Sequence, residues 1–263
     1  MEKLTMLDYV KETPGVLRTN IEQYTALVEP LMKEVQQKEI KRILLVASGS
    51  SHNACYCARS FVEKVSGLEV RIITPYTFTY YENDIKETDL VLVVTQSGLS
   101  TNAIEALKII KKKQCRAICL TGNKNSDVKD VADVVIEYGV GEELVGYVTK
   151  GVSSLALFLD LFAIAYSGKS EYLEELKKAV HLNEEMIGKA TSFIQLHYKE
   201  FSSMSWVYSC GAGANYGTAL ESALKMGETI HIPSCCYEIE EYIHGPNLQL
   251  TPQYNVIFFD GND

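Results

Sequence analysis

Hydroxyl groups crowd two short stretches of this chain. One is Thr95-Gln96-Ser97-Gly98-Leu99-Ser100-Thr101, and the other is Ser48-Gly49-Ser50-Ser51-His52-Asn53. Where such a stretch opens a helix, the chemistry within reach is anion binding. The first amides of a helix lack intrahelical partners and carry the positive end of its dipole. The hydroxyls of Thr95, Ser97, Ser100 and Thr101 add donors around the same point, and Gly98 lets the backbone bend close to a ligand. A phosphate can be held this way without a lysine or a metal. The plainer alternative is that Ser100 or Thr101 caps a helix and binds nothing.

A second set of residues could move protons. Lys225 and Glu228 lie three apart on a predicted helix and can share a face. That spacing suits a surface ion pair equally well. A carboxylate within hydrogen-bond reach of a carbon next to a carbonyl can act as a general base. His244, between Ile243 and Gly245-Pro246, is either a structural loop histidine or an acid–base group. His52 reads as a polar turn residue, and His181, His197 and His231 have no sequence partner that suggests a role. No cluster of histidines and carboxylates has metal-ligand spacing, so neither a metal nor a cofactor is expected.

The elements that position these residues follow from the apolar pattern. Leu90 to Val94 is an unbroken, β-branched run, as in a strand buried on both faces. Ala103, Ile104, Ala106, Leu107, Ile109 and Ile110 then recur at helical spacing. Ile43 to Ala47 is a strand of the same design, followed by a helix through Ala54, Ala58, Phe61 and Val62. Further strands are expected at Val70 to Ile73, Arg116 to Leu120 and, after a second helix, Val134 to Ile136. Residues 152–166 read as a strongly apolar helix. Upstream, Thr13-Pro14 predicts a helix start, with Leu17, Ile21, Tyr24, Val28 and Leu31 on one face. Strands alternating with helices predict an α/β fold with a doubly wound parallel sheet, whose ligands bind at the carboxyl ends of the strands. Both hydroxyl-rich turns fall there.

Residues 169–200 read as a charged helical connector. Trp206 to Asn215 then repeats the design of Ile43 to Asn53, which points to an internal duplication. Gly211 and Gly213 invite a dinucleotide reading, but Tyr216 breaks the GxGxxG pattern, so no dinucleotide is expected. A second copy opening at 206 would need a length similar to the first. The chain closes at Asp263, so the second domain is expected to stop partway.

The chain has 263 residues, 46% of them apolar and 22% charged, which suits one large domain or two smaller ones. The net charge of −9 argues against nucleic acid and against an anionic membrane surface as partners, though not against a small anionic ligand. Seven cysteines show no CxxC and no zinc spacing, and read as reduced core thiols. MEKLTMLDYVKE has no apolar signal region, and the apolar stretch Leu155 to Ala165 is interrupted by Asp160 and too short to span a bilayer. A cytoplasmic location is the expectation.

Taken in order, Ile43-Leu-Leu-Val-Ala-Ser-Gly-Ser-Ser51, Thr95-Gln-Ser-Gly98, Thr149-Lys150, Ala219-Leu-Glu-Ser-Ala-Leu-Lys225, Glu228 and His244-Gly-Pro246 resemble the SIS (sugar isomerase) family, in the order of the isomerase half of glucosamine-6-phosphate synthase. The resemblance implies flavodoxin-like SIS domains in tandem, the second incomplete, with a sugar phosphate bound between them. It implies segments 1–40 (N-terminal helices), 41–168 (first SIS domain), 169–204 (helical connector) and 205–263 (start of a second SIS domain). It implies that Ser51, Thr95, Gln96, Ser97 and Ser100 hold the phosphate and that Glu228 moves a proton between C1 and C2. Lys225 and His244 match residues that assist ring opening and proton handling, with the histidine lent by a neighbouring subunit of a homodimer.

Three departures qualify the resemblance. With no glutaminase segment before residue 1, glutamine-dependent amination is not expected. Tyr147-Val148 replaces the Ala-Ser that precedes Thr-Lys in the synthase, which removes a polar contact. The synthase's lysine-bearing C-terminal tail has no counterpart within these 263 residues, so its contribution to the site is not expected. Glutaminase-free relatives include fructosamine-6-phosphate deglycases, whose corresponding segment Glu240, Glu241 and His244 resemble. Two expectations follow: a sugar-phosphate isomerase or deglycase, or a regulatory or inactive module that binds a sugar phosphate without converting it.

Overall fold

The computed structural model describes residues 4–36 and 38–261. Residues 1–3, Gln37 and 262–263, assigned above to the flanking segments, lie outside the described residues.

The chain opens with two helices, α1 (Met6–Glu22) and α2 (Tyr24–Val35). The start expected at Thr13-Pro14 is wrong: Thr5 caps the helix, and Pro14 lies inside it. Thr5 Oγ1 accepts from the Asp8 amide at 3.3 Å, while Asp8 Oδ2 accepts from the Thr5 amide at 2.7 Å. This reciprocal cap satisfies two orphan donors. Burial of Tyr9, Thr13, Leu17 and Ile21, four residues apart in turn, carries the helix past its proline.

Next come β1 (Arg42–Val46), α3 (Gly49–Ser66), β2 (Glu69–Ile73), α4 (Pro75–Tyr80), β3 (Asp89–Thr95), α5 (Thr101–Lys112), β4 (Ile118–Thr121) and β5 (Val134–Glu137). The five strands pair in parallel in the order β2-β1-β3-β4-β5, the flavodoxin-like order. The helix expected before β5 is only a 3-10 turn, Asp127–Asp130. Short α4, capped by Thr74 with Pro75 in its first turn, follows β2 where the apolar pattern predicts no helix.

Side chains of the central strands alternate between two cores. Ile43, Leu45, Leu90, Leu92 and Val94 pack with α1, α2, α3 and the later helix Lys150–Ser167. Leu44, Val46, Val91 and Val93 pack with Phe78 of α4 and with α5. Such two-sided cover explains the unbroken apolar runs. At the opposite end from the turns, Asp89 accepts from Arg42 Nε at 3.0 Å and Nη2 at 2.7 Å. Burial works against that carboxylate, but Arg42 and the Lys86 amide outweigh it and hold its pKa below the ordinary value.

The remaining elements are α6 (Lys150–Ser167), α7 (Tyr172–Leu196), α8 (Tyr198–Ser202), β6 (Trp206–Gly211), α9 (Ala214–Thr229), β7 (Ser234–Glu238), α10 (Ile239–Ile243) and β8 (Tyr254–Phe259). The helix α6 is two residues longer at its start than the pattern suggested, and at 18 residues it is long and apolar enough to cross a membrane. However, 61% of it is buried within the molecule. A second parallel sheet has the order β7-β6-β8, which repeats the local order β2-β1-β3. Its helix α9 packs against α3 of the first unit.

All seven cysteines are free thiols, but only Cys55, Cys119 and Cys210 are fully buried, so four of the seven are not the sealed core thiols expected. Burial pushes the Cys119 thiol up to about 12 and the Cys57 thiol up to about 11.

Candidate active site

Both hydroxyl-rich turns sit at the carboxyl ends of neighbouring strands, β1 and β3, and open helices α3 and α5. They differ in one respect. Ser100 caps α5, its Oγ accepting from the Ala103 amide at 3.4 Å. Ser48, the residue before α3, makes no side-chain cap, so the first turn of α3 keeps its amide donors unengaged by a capping side chain. Ser97 Oγ accepts from the Leu99 amide at 3.2 Å. Gly98 has a φ of +67°, and a Cβ there would stand 1.7 Å from Ser126 Oγ. The glycine is therefore required by the packing of the turn against Ser126, beyond any need of a ligand.

A cleft of about 1140 Å³ opens above these turns. Its walls include Ser50, Ser51, Thr95, Gln96 and Ser97 from the first unit and Leu224 and Glu228 from α9. The loop between β5 and α6 forms a further wall that carries Glu142 and Glu143. Among the sequence-derived phosphate residues, Ser51, Thr95, Gln96 and Ser97 line this cleft, whereas Ser100 is not among its lining residues.

Lys225 and Glu228 meet the first unit through α9. Lys225 Nζ donates to Glu228 Oε2 at 2.7 Å and to Ser50 Oγ at 3.1 Å, and lies 3.0 Å from Glu221 Oε1. Glu221 also accepts from Ser50 Oγ at 2.9 Å and from Asn53 Nδ2 at 2.8 Å. One ammonium thus bridges two carboxylates and a hydroxyl across the seam between the two units. Charge-assisted bonds of this kind are about twice as strong as neutral ones. The ion pair expected as the plainer reading of Lys225 and Glu228 is present; Glu228 lines the cleft, whereas Lys225 lines a neighbouring cavity of about 680 Å³.

His244 is not brought to the cleft of its own chain. It is exposed, with Nδ1 2.8 Å from the Glu240 carbonyl. His52 lies on the first turn of α3, its ring edge-on to Tyr56, and burial lowers its pKa. Among the described residues, no three His, Cys, Asp or Glu side chains converge so as to hold a metal ion.

Sequence reasoning missed Ser50, Asn53, Glu221 and Glu143. Glu221 carried a signal, since it precedes Lys225 by four residues on the same helix. Glu143 carried none, because its partners come from other elements.

Residues 38–165 match the model of the SIS domain, so the five-stranded unit is a SIS domain. Over 255 residues the chain is 26% identical to the glutamine–fructose-6-phosphate aminotransferase [isomerizing] of Clostridium tetani, covering 92% of this chain and 42% of that protein. The chain therefore spans less than half the length of that relative. A crystal structure of a candidate phosphosugar isomerase from Clostridium difficile 630 is 26% identical, with a TM-score of 0.88 over 99% of this chain and 76% of that one. The C-terminal domain of glucosamine-fructose-6-phosphate aminotransferase from Francisella tularensis shares the fold at 22% identity, with a TM-score of 0.80 over 100% of this chain and 77% of that one.

Proposed function

We propose that the cleft binds a phosphorylated sugar and that Glu228 moves a proton between C1 and C2 of the open-chain form, as in an amino-sugar or fructosamine 6-phosphate isomerase or deglycase. The observation that supports this reading is that Glu228 lines one cleft with the hydroxyl turns of the SIS domain, while Lys225, behind it, is hydrogen-bonded to both Glu228 and Ser50. The phosphate lies on the turns holding Ser51, Thr95, Gln96 and Ser97, with Ser100 completing the second turn from its cap position. Glu228 takes the proton from the carbon beside the carbonyl, leaving an enediolate, and the same carboxyl returns it to the former carbonyl carbon while the hydroxyl proton of the first carbon passes to the former carbonyl oxygen. Lys225, hydrogen-bonded to Glu228, keeps the carboxylate in place and can donate to a sugar oxygen.

We read the working form as a homodimer in the cytoplasm, with His244 of the partner subunit assisting ring opening. The second reading is a module that binds a sugar phosphate without turnover. It is favoured by the distance of His244 from its own chain's cleft. The test is a thermal-shift panel with fructose 6-phosphate, glucosamine 6-phosphate and a fructosyl-amino-acid 6-phosphate, each against its unphosphorylated sugar. Stabilisation by the phosphorylated members alone is expected. Equal response to both sets would overturn the phosphate assignment. Binding of all three with conversion of none would favour the second reading.

A further inference from the structure

The wall of the cleft formed by residues 139–149 is held by one carboxylate. Glu143 Oε1 accepts from Gln96 Nε2 at 2.8 Å and from the Thr149 amide at 2.9 Å, and its Oε2 accepts from the Lys150 amide at 2.7 Å. Gln96 Oε1 in turn accepts from the Tyr138 hydroxyl at 3.1 Å. Gly151 abuts the same oxygen, and a Cβ at that position would stand 1.7 Å from it. The Gln96 amide is therefore fixed with its nitrogen toward Glu143 and its oxygen toward Tyr138. Burial, and then the charge of Glu143, push the Tyr138 hydroxyl above its ordinary pKa, so it remains a donor.

The wall is tied to α1 from its other side. Lys150 Nζ, on a residue only 2% exposed, donates to Glu12 at 2.9 Å and stands 5.2 Å from the centre of the Tyr9 ring. Tyr9 Oη accepts from the Leu144 amide at 2.9 Å. The N-terminal helix, the β3 turn and the start of α6 thus converge on this one loop.

We propose that Glu143 is a positioning residue that latches the 139–149 wall to the Thr95–Ser97 turn and, through Gln96, sets how that turn faces its ligand. It touches no reacting atom. A carboxylate is needed because all three of its partners are N–H donors. Glutamine would turn an NH₂ group against at least one of them, and that donor would lose its acceptor.

The consequence for ligand binding rests on the sugar-phosphate reading of the cleft, while the latch itself does not. The experiment uses the full chain and compares parent, Glu143→Ala, Glu143→Gln, Gln96→Ala and the Glu143→Ala/Gln96→Ala double variant. Amide hydrogen exchange reads the latch. In Glu143→Ala, exchange across 139–151 is expected to quicken by about 10- to 100-fold while β1 and β3 keep their protection. Glu143→Gln is expected to behave like Glu143→Ala. Unchanged exchange in Glu143→Ala, or parent-like exchange in Glu143→Gln, would overturn the latch. Where Glu143→Ala fails to fold, Glu143→Asp, one methylene shorter, is read the same way.

Calorimetric titration with fructose 6-phosphate reads the consequence. Glu143→Ala is expected to bind about 10- to 100-fold more weakly, and the double variant no more weakly than the weaker single, because both lose one linked unit. Additive losses would overturn the route through Gln96. If the parent binds neither fructose 6-phosphate nor glucosamine 6-phosphate, the reading of the cleft falls, and hydrogen exchange alone decides the latch.

Discussion

Every residue of β3 is buried, whereas every residue of β7 is only partly buried and Phe258 on β8 remains 54% exposed. Both sheets are parallel, and both place their first strand between their second and third. They differ in what lies above and below them. The five-stranded sheet has α1, α2, α3 and α6 on one face and α4 and α5 on the other. The three-stranded sheet has α9 against all three strands, and its other named cover is the short α10, whose Tyr242 joins Tyr208 and Cys210 as the fully buried part of a mostly aromatic cluster. An apolar run thus specifies a strand, but the helices around it decide how deeply it is buried. The proposed chemistry divides along the same line. The first unit supplies turns held by deep packing, and the second supplies Glu228 and Lys225 on a helix joined to α3 by the Ser50 and Asn53 hydrogen bonds and by the Tyr56–Tyr216 ring contact.

The largest expected effect lies in the first unit. Ser51→Ala combined with Ser97→Ala removes two of the donors proposed to hold the phosphate. At about 1.5–3 kcal/mol for each charge-assisted bond, stabilisation by sugar phosphates should vanish in thermal-shift measurements. A double variant stabilised like the parent would move the phosphate site elsewhere. A second change acts in the other unit. Glu228→Gln keeps the size of the side chain and removes the base, so turnover should fall about 10²- to 10⁴-fold while binding persists. If binding disappears with turnover, the division into an anion-holding unit and a proton-moving unit fails.

Packing itself gives a third contrast. Leu92 of β3 is fully buried, and Leu92→Ala should cost about 2–5 kcal/mol in urea unfolding. Val256 of β8 is partly buried, and Val256→Ala should cost about 1 kcal/mol or less. Equal costs would mean that the second sheet is packed as tightly as the first.

The sequence made β1, β3 and their turns legible, because a two-sided core leaves an unbroken apolar run and the turns stand directly after it. It also made Lys225 and Glu228 legible, since their relation is local to one helix. The start of α1 was misread because Thr13-Pro14 looked like a boundary, while the stronger cap at Thr5 and Asp8 lay eight residues upstream. The roles of Glu143, Ser50 and Asn53 could not be read, because each depends on a partner brought close only by the folded chain. Ser100 shows the remaining difficulty: a hydroxyl before a helix serves the cap whether or not it also serves a ligand.

The smallest expected effect concerns the seam between the two regions. Asp160 of α6 lines a cavity of about 680 Å³ with Cys57 of α3, Asn183 of α7 and Thr218 of α9. Its Oδ1 and that of Asn183 are sealed from solvent without a hydrogen-bond partner. Burial raises the pKa of Asp160 well above the ordinary value of 3.8, so the folded protein holds a proton there that the unfolded chain releases. Between those two values the native state binds more protons than the unfolded state, so this group's contribution to stability declines as pH rises. Asparagine has no such proton to release. Asp160→Asn should therefore gain on the parent by about 1–2 kcal/mol between pH 5 and pH 7, measured by urea unfolding of both proteins at each pH. Because the other titrating groups are common to both proteins, the difference between the two curves isolates residue 160. A constant difference across that range would mean that the carboxylate titrates as it does in water. The seam between the two regions would then be open to solvent, and the contrast in burial between the two sheets would extend into the first unit's own helices.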